Sequence, residues 1–204
     1  MKRLLLIAVL ALGILNSCQK RPDKTITNLQ SAVVDETTAS IKYMAYATKA
    51  NEEGYATLGK LFEAISRSER VHAERFKEYL SKLDANMDGF TPVCDLKSTE
   101  MNLESALRME RRDKDTLYPR YLAQAHLERQ EIIGETLKWS LEAEKKHEAL
   151  LTKAYKLLKE QPDSLSSLPI DFLICPICGI SFHATEGIVK CTNCGTSSIL
   201  FIQL

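Results

Sequence analysis

The chain carries no excess charge of either sign: 27 Lys and Arg stand against 27 Asp and Glu in 204 residues. A neutral protein lacks the long-range positive field that phosphate backbones select for, so composition gives no support to a general nucleic-acid-binding role. Turn formers are scarce as well, with 8 Gly and 6 Pro, and aromatic residues make up 7%. That argues against a turn-rich β-sandwich or barrel and for helices. The extended apolar run, Leu4 to Leu15, is only twelve residues long. As a helix it would rise about 18 Å against a hydrocarbon core of roughly 30 Å, too short to span a membrane. What is present is 45% apolar residues, enough to bury a core, and six cysteines that need an account.

Between Thr25 and Gln161 the glycines are Gly54, Gly59, Gly89 and Gly134, and the prolines are Pro92 and Pro119. Long periodic helices fit this spacing. In the second helical segment the seam reads Leu58, Leu61/Phe62, Ile65, Glu69, His72, Phe76, Tyr79/Leu80 and Leu83. The fourth repeats it with Ile133, Leu137, Leu141, Glu144, His147, Leu151 and Leu158. In both, a Glu and a His three residues apart stand where Leu belongs. The first segment (Ile26, Leu29, Val33, Glu36, Tyr43, Ala47) and the third (Leu103, Leu107, Glu110, Leu117, Tyr121) each aim one Glu inward. Asp113, three residues after Glu110, shares its face. Residues 85–98 connect the two helix pairs, and the pattern resembles an internal repeat: Glu36 to Glu69 is 33 residues, Glu110 to Glu144 is 34.

Four or five carboxylates cannot be buried in a bundle core unless a cation joins them, because each desolvated ion costs several kcal/mol even after relaxation. Two divalent metals supply that charge. Carboxylate oxygens with one imidazole per metal suit iron or manganese better than structural zinc. One inward Glu from each of two helices plus Glu-x-x-His from the other two resembles the di-iron carboxylate arrangement of ferritin-like bundles. His126 lacks this context and reads as a surface or helix-end residue.

Two further segments account for cysteines. Lys2 and Arg3, the apolar run and Leu15-Asn16-Ser17-Cys18 resemble a bacterial lipoprotein signal peptide. The resemblance implies cleavage after residue 17, acylation of Cys18 and a polar tether over residues 18–24. Loss of Lys2 and Arg3 leaves 25 basic against 27 acidic residues, a net of −2. At the other end, residues 161–172 read as a linker into a small domain over residues 173–204. There Cys175-Pro-Ile-Cys178-Gly and Cys191-Thr-Asn-Cys194-Gly form two Cys-x-x-Cys knuckles twelve residues apart. Four thiolates at this spacing can converge tetrahedrally on a metal, iron or zinc, and hold together a lobe too small to build its own core. Disulfides are a third possibility for an exported chain. His183 has no evident partner and reads as a surface residue; Cys94 reads as a free thiol.

Together the bundle (residues 25–160) and the tail resemble the rubrerythrin family: an all-α, ferritin-like di-iron bundle followed by a small rubredoxin-like, zinc-ribbon-like domain. The resemblance implies that Glu69 and Glu144 bridge two irons, that Glu36 and Glu110 are terminal carboxylates, and that His147 binds one iron. The other iron would be bound in alternation by His72 or by Asp113, where the family has the longer Glu. Tyr43 and Tyr118 match family tyrosines able to hydrogen-bond the bridging carboxylates, and Pro119 would free a backbone carbonyl nearby. The expected activity is peroxidase-type reduction of hydrogen peroxide, in the manner of an NADH peroxidase with its donor unknown. Electrons would pass through a third iron on Cys175, Cys178, Cys191 and Cys194. The alternative is an iron-binding or oxygen-scavenging protein whose tail holds structural zinc. A head-to-tail homodimer, in which one chain's tail approaches its partner's di-iron site, is implied as well. So is a lipid-anchored place in the bacterial envelope, on the periplasmic side.

Overall fold

The computed structural model describes residues 21–204. The leader, the cleavage point and Cys18 lie outside the described residues, among which no helix is long and apolar enough to cross a membrane. Helix α1 (Asp23–Glu52) packs along α2 (Ala56–Lys82), and a connection without regular structure leads to α3 (Thr99–Arg112). One turn of π-helix (Asp113–Leu117) joins α3 to α4 (Tyr118–Leu127), and α5 (Glu131–Glu160) closes the bundle. Helix α1 begins inside the expected tether, so that reading is corrected. Arg21 and Asp23 already pair at 3.4 Å.

Local chemistry fixes the ends. Ser98 caps α3 by accepting the Met101 amide, and Glu128 accepts the Thr25 amide at 2.8 Å, serving the exposed donors that open α1. Gly54, with φ +85°, takes the chain out of α1 in a conformation that side chains rarely adopt. The seam residues are the buried ones. Leu58, Phe62, Ile65 and Leu103 pack with Leu151 toward one end of the bundle, and Leu29, Val33, Phe76 and Leu137 pack with Tyr118 toward the other.

After α5 the chain turns back. Residues 162–167 form a short 3-10 segment, and the expected linker is not free: Leu165 and Leu168 are buried with Leu151 and Ala154 of the bundle. A three-stranded antiparallel sheet follows, with β1 (Phe172–Ile174) between β2 (Ser181–His183) and β3 (Ile202–Gln203). Phe172 and Ile174 belong to the bundle core, while Ala143 of α5 packs with Cys175, Cys178 and Phe182. The tail is therefore sewn onto the bundle of its own chain.

Candidate metal centres

Helices α1, α2, α3 and α5 each contribute the inward carboxylate that the seam predicts. Glu36, Glu69, Glu110 and Glu144 are at most 6% exposed, and His72 and His147 are 1% and 0%. Their ligating atoms form two groups: Glu36, Glu69, His72 and Glu144, and Glu69, Glu110, Glu144 and His147, with each group's ligating atoms within 4.8 Å of one another. Glu69 and Glu144 belong to both. His72 Nδ1 lies 2.9 Å from Glu69 and 3.3 Å from Glu144, and His147 Nδ1 lies 3.1 Å from Glu69 and 3.3 Å from Glu144.

The electrostatics of this cluster are those of a cation site. Burial, then the charges of Glu69 and Glu144, pushes Glu36 well above the ordinary carboxylate range. Burial and Glu144 do the same to Glu110. For Glu144 burial acts upward but is outweighed by hydrogen bonds from His147 and His72, which hold it low. Both imidazoles are raised well above their usual range, because the surrounding carboxylates overcome desolvation. Protons thus do the neutralising in the chain alone. Glu110 Oε2 and Glu144 Oε1 are buried with only an imidazole Nδ1 beside each, at 3.5 and 3.3 Å, and no well-aligned hydrogen bond among the described residues, and such oxygens suit a metal. The donor set of oxygens and two imidazoles fits a pair of iron ions.

Two tyrosines complete the cluster, in a way the sequence reading had differently. Tyr43 donates to Glu110 and Tyr118 to Glu36, so they hold the two unshared carboxylates and not Glu69 or Glu144. Tyr43 follows Glu36 by seven residues and Tyr118 follows Glu110 by eight. The π-turn between Glu110 and Tyr118 absorbs the extra residue and restores the phase, the kind of irregularity often found at functional sites. The irregularity expected at Pro119 falls just before it.

Asp113 stands at the start of the same turn. Its carboxylate belongs to neither group of ligating atoms. It pairs instead with Arg112 Nη2 at 2.8 Å, and burial followed by the Glu144 charge raises it to about 7. His126 is 81% exposed at the end of α4, as its lack of context predicts. His183 is not a bare surface residue: its Nδ1 accepts from the Thr185 amide and caps a short 3-10 turn.

In the tail, Cys175, Cys178, Cys191 and Cys194 converge with their sulfurs within 4.8 Å of one another. The Cys175–Cys194 and Cys178–Cys191 pairs stand 3.5 Å apart, far beyond disulfide length, and all four thiols are free. Tetrahedral metal–sulfur bonds of ~2.3 Å set sulfurs about 3.8 Å apart, so the cluster is sized for an iron or zinc ion. The knuckles close by Gly179 N–H to Cys175 C=O and Gly195 N–H to Cys191 C=O. Cys94 is also free and packs at the edge of the bundle core.

The two sites touch. His72 Nε2 lies 3.2 Å from the Cys178 carbonyl, and Ser68 Oγ donates to the Gly179 carbonyl at 2.6 Å. Gly179, with φ +75°, is the residue that permits this approach: a Cβ there would stand 2.5 Å from His72 Nε2. Lys146 Nζ donates to the Ser181 carbonyl at 2.7 Å over the Phe182 ring, and Asn193 donates to the Trp139 carbonyl at 3.0 Å. Within the chain, the tail thus lies against the bundle's own ligand cluster.

The rubrerythrin family profile matches residues 27–155. The chain is 31% identical over 176 residues to rubrerythrin-2 of Clostridium acetobutylicum, covering 85% of this chain and 92% of that protein. It is 28% identical over 171 residues to nigerythrin of Nitratidesulfovibrio vulgaris, covering 83% and 81%. A solved structure described as the fully reduced, all-ferrous state of nigerythrin superposes with a TM-score of 0.75 at 26% identity, over 88% of this chain and 86% of that one. An open-pore ferritin of Archaeoglobus fulgidus, 15% identical over 72% of this chain and 92% of its own, shares the fold with a TM-score of 0.61. With the residues of a di-iron carboxylate site and a four-cysteine site both in place, the chain belongs to the rubrerythrin family of di-iron oxidoreductases.

Proposed function

We propose that the protein reduces hydrogen peroxide to water at the bundle cluster, using electrons that enter through the four-cysteine site. The observation that carries this reading is the contact between the two sites, the Cys178 carbonyl on His72 Nε2. A zinc ribbon that served only assembly would gain nothing from placing its knuckle on a metal-binding imidazole.

In this reading Glu69 and Glu144, common to both groups, would be ligands shared by the two metals, with Glu36 and His72 completing one set and Glu110 and His147 the other. Iron held there would supply two electrons and Lewis acidity to peroxide. The chain's own groups prepare that chemistry. Tyr118 and Tyr43 fix one oxygen of Glu36 and of Glu110, leaving the others for the metal. His72 donates its Nε2 proton to the Cys178 carbonyl, which sets the tautomer and aims Nδ1 at the carboxylates. Burial of all six side chains keeps bulk water from the centre. Covalent attachment gives the electron carrier a high effective concentration at the cluster.

The anaerobically reduced protein should consume peroxide, and Glu69→Ala should not. Equal rates for the two would defeat the reading. A colourless tail beside an iron-loaded bundle would favour iron binding or oxygen scavenging with structural zinc instead. We further propose that residues 1–17 are a lipoprotein signal, that Cys18 is acylated, and that the mature domain sits on the periplasmic side of an envelope membrane.

A further inference from the structure

We infer that the end of the bundle formed by the start of α1, the end of α2 and the α4–α5 turn rests on a phospholipid bilayer. The inference rests on the lipid-anchor reading and goes beyond it, because an anchor alone does not say which face of a protein meets the membrane. Here the tether does. Cys18 precedes Arg21 by three residues. Three Cα–Cα steps of 3.8 Å span at most about 11 Å. Arg21 is itself held, with Nη2 3.5 Å from the Asp84 carbonyl and Nε 3.4 Å from Asp23. The span therefore keeps this end of the bundle within about 11 Å of an acylated Cys18.

The surface at that end suits a headgroup layer. Leu127 and Ile132 flank the α4–α5 turn at 75% and 71% exposure. Between them and the chain start lies a groove of about 630 Å³ lined by Arg21, Tyr79, Lys82, Arg129 and Ile132, with one exposed acid, Glu131. Cations, an aromatic ring and aliphatic side chains in one place are what membrane interfaces select. The acidic Glu128 in this region is occupied by the first amides of α1. At the far end of the bundle Glu52 and Glu100 are paired with Lys49 and Lys159, so the short tether and the exposed Leu127 and Ile132, not net charge, single out the near end. This orientation holds the four-cysteine lobe off the membrane. Ser68, where the lobe docks, lies fourteen residues before Lys82. At 1.5 Å per residue that is about 20 Å up the bundle, within reach of a soluble electron donor.

The test uses the full chain extracted from membranes and reconstituted into vesicles of phosphatidylethanolamine and phosphatidylglycerol. A fluorescent side chain replaces Glu131 in one preparation and Glu160 in another. The expected result is that the probe at 131 is quenched by nitroxide-labelled lipid and shielded several-fold from aqueous iodide, whereas the probe at 160 shows the reverse. Adding Leu127→Glu and Ile132→Glu should abolish lipid quenching at 131 without changing peroxide turnover. Mass analysis of the N-terminal peptide reads the anchor separately. An acylated Cys18 with equal iodide access at both positions overturns the inference and leaves the anchor standing. An unmodified Cys18 removes the anchor and the inference together.

Discussion

The two Glu-x-x-His halves of the cluster began as near copies and ended unequal. On α2, Glu69 and His72 face the same carboxylates that Glu144 and His147 face on α5, and the spacing within each is identical. Yet His72 Nε2 meets the Cys178 carbonyl, while His147 Nε2 is buried without a partner among the described residues. A repeated sequence produces two equivalent ligand groups; a single appended lobe touches one of them. Symmetry in the bundle core pairs the ligand groups, and its breaking marks the one that the lobe meets.

The comparison breaks most completely at the shared carboxylates. Glu69→Ala and Glu144→Ala each remove a ligand common to both positions, so each should abolish bundle iron and peroxide turnover alike; metal analysis of the purified variants checks this. Gly179→Ala should split the halves. The added methyl overlaps His72 at a backbone φ of +75°, so bundle iron should remain while reduction through the lobe slows by about tenfold or more, read by stopped-flow absorbance. His147→Gln, lacking any lobe contact, should lower iron content without that selective slowing.

A mixing experiment sharpens the intrachain contact. Glu69→Ala chains combined with Cys178→Ser chains should recover no turnover if each lobe serves its own bundle. Recovery would assign the lobe to a partner chain. Smaller effects are expected from Tyr43→Phe and Tyr118→Phe. Each frees one unshared carboxylate and should weaken iron binding by about 10- to 100-fold, equally for the two.

The smallest effect concerns pH. Asp113 is raised from 3.8 to about 7, so its contribution to folding is present below pH 3.8 and disappears as pH rises through 7. The raised Glu36, Glu110 and imidazoles act in the same direction. Metal-free protein should therefore melt at a lower temperature at pH 8 than at pH 5, and Asp113→Asn should reduce that difference. Iron-loaded protein should show the opposite trend, since binding requires deprotonated ligands.

The inward carboxylates were legible because the helical period is strict. A Glu on an apolar seam must be buried, and Glu36, Glu69, Glu110 and Glu144 all are. The cysteine knuckles were legible because ligand spacing within a tight turn is local. Asp113 stays in the field of Glu144 and Glu69, as its spacing from Glu110 predicts, but its pairing with Arg112 is set by side-chain placement that no local pattern encodes. The π-turn that starts there was less legible. Only a clue of spacing was available, the seven residues from Glu36 to Tyr43 against the eight from Glu110 to Tyr118. The tyrosine partners crossed over as well, because which carboxylate a phenol reaches depends on how the helices pack. Leu165 and Leu168 looked like linker residues among Pro and Ser, and became core once the chain turned back along α5.

By itself the sequence determined four helices, two shared Glu-x-x-His pairs and a four-thiolate turn, since periodicity and ligand spacing are properties of a few consecutive residues. Tertiary structure alone decided that the tail docks on its own bundle, that Tyr43 and Tyr118 cross to the unshared carboxylates, and that Cys178 meets His72. Those contacts join residues 67 to 106 positions apart. No local pattern encodes them; the tyrosine contacts exist because of how the bundle helices pack, and the Cys178 contact because Gly179 has no side chain to hold the lobe off His72.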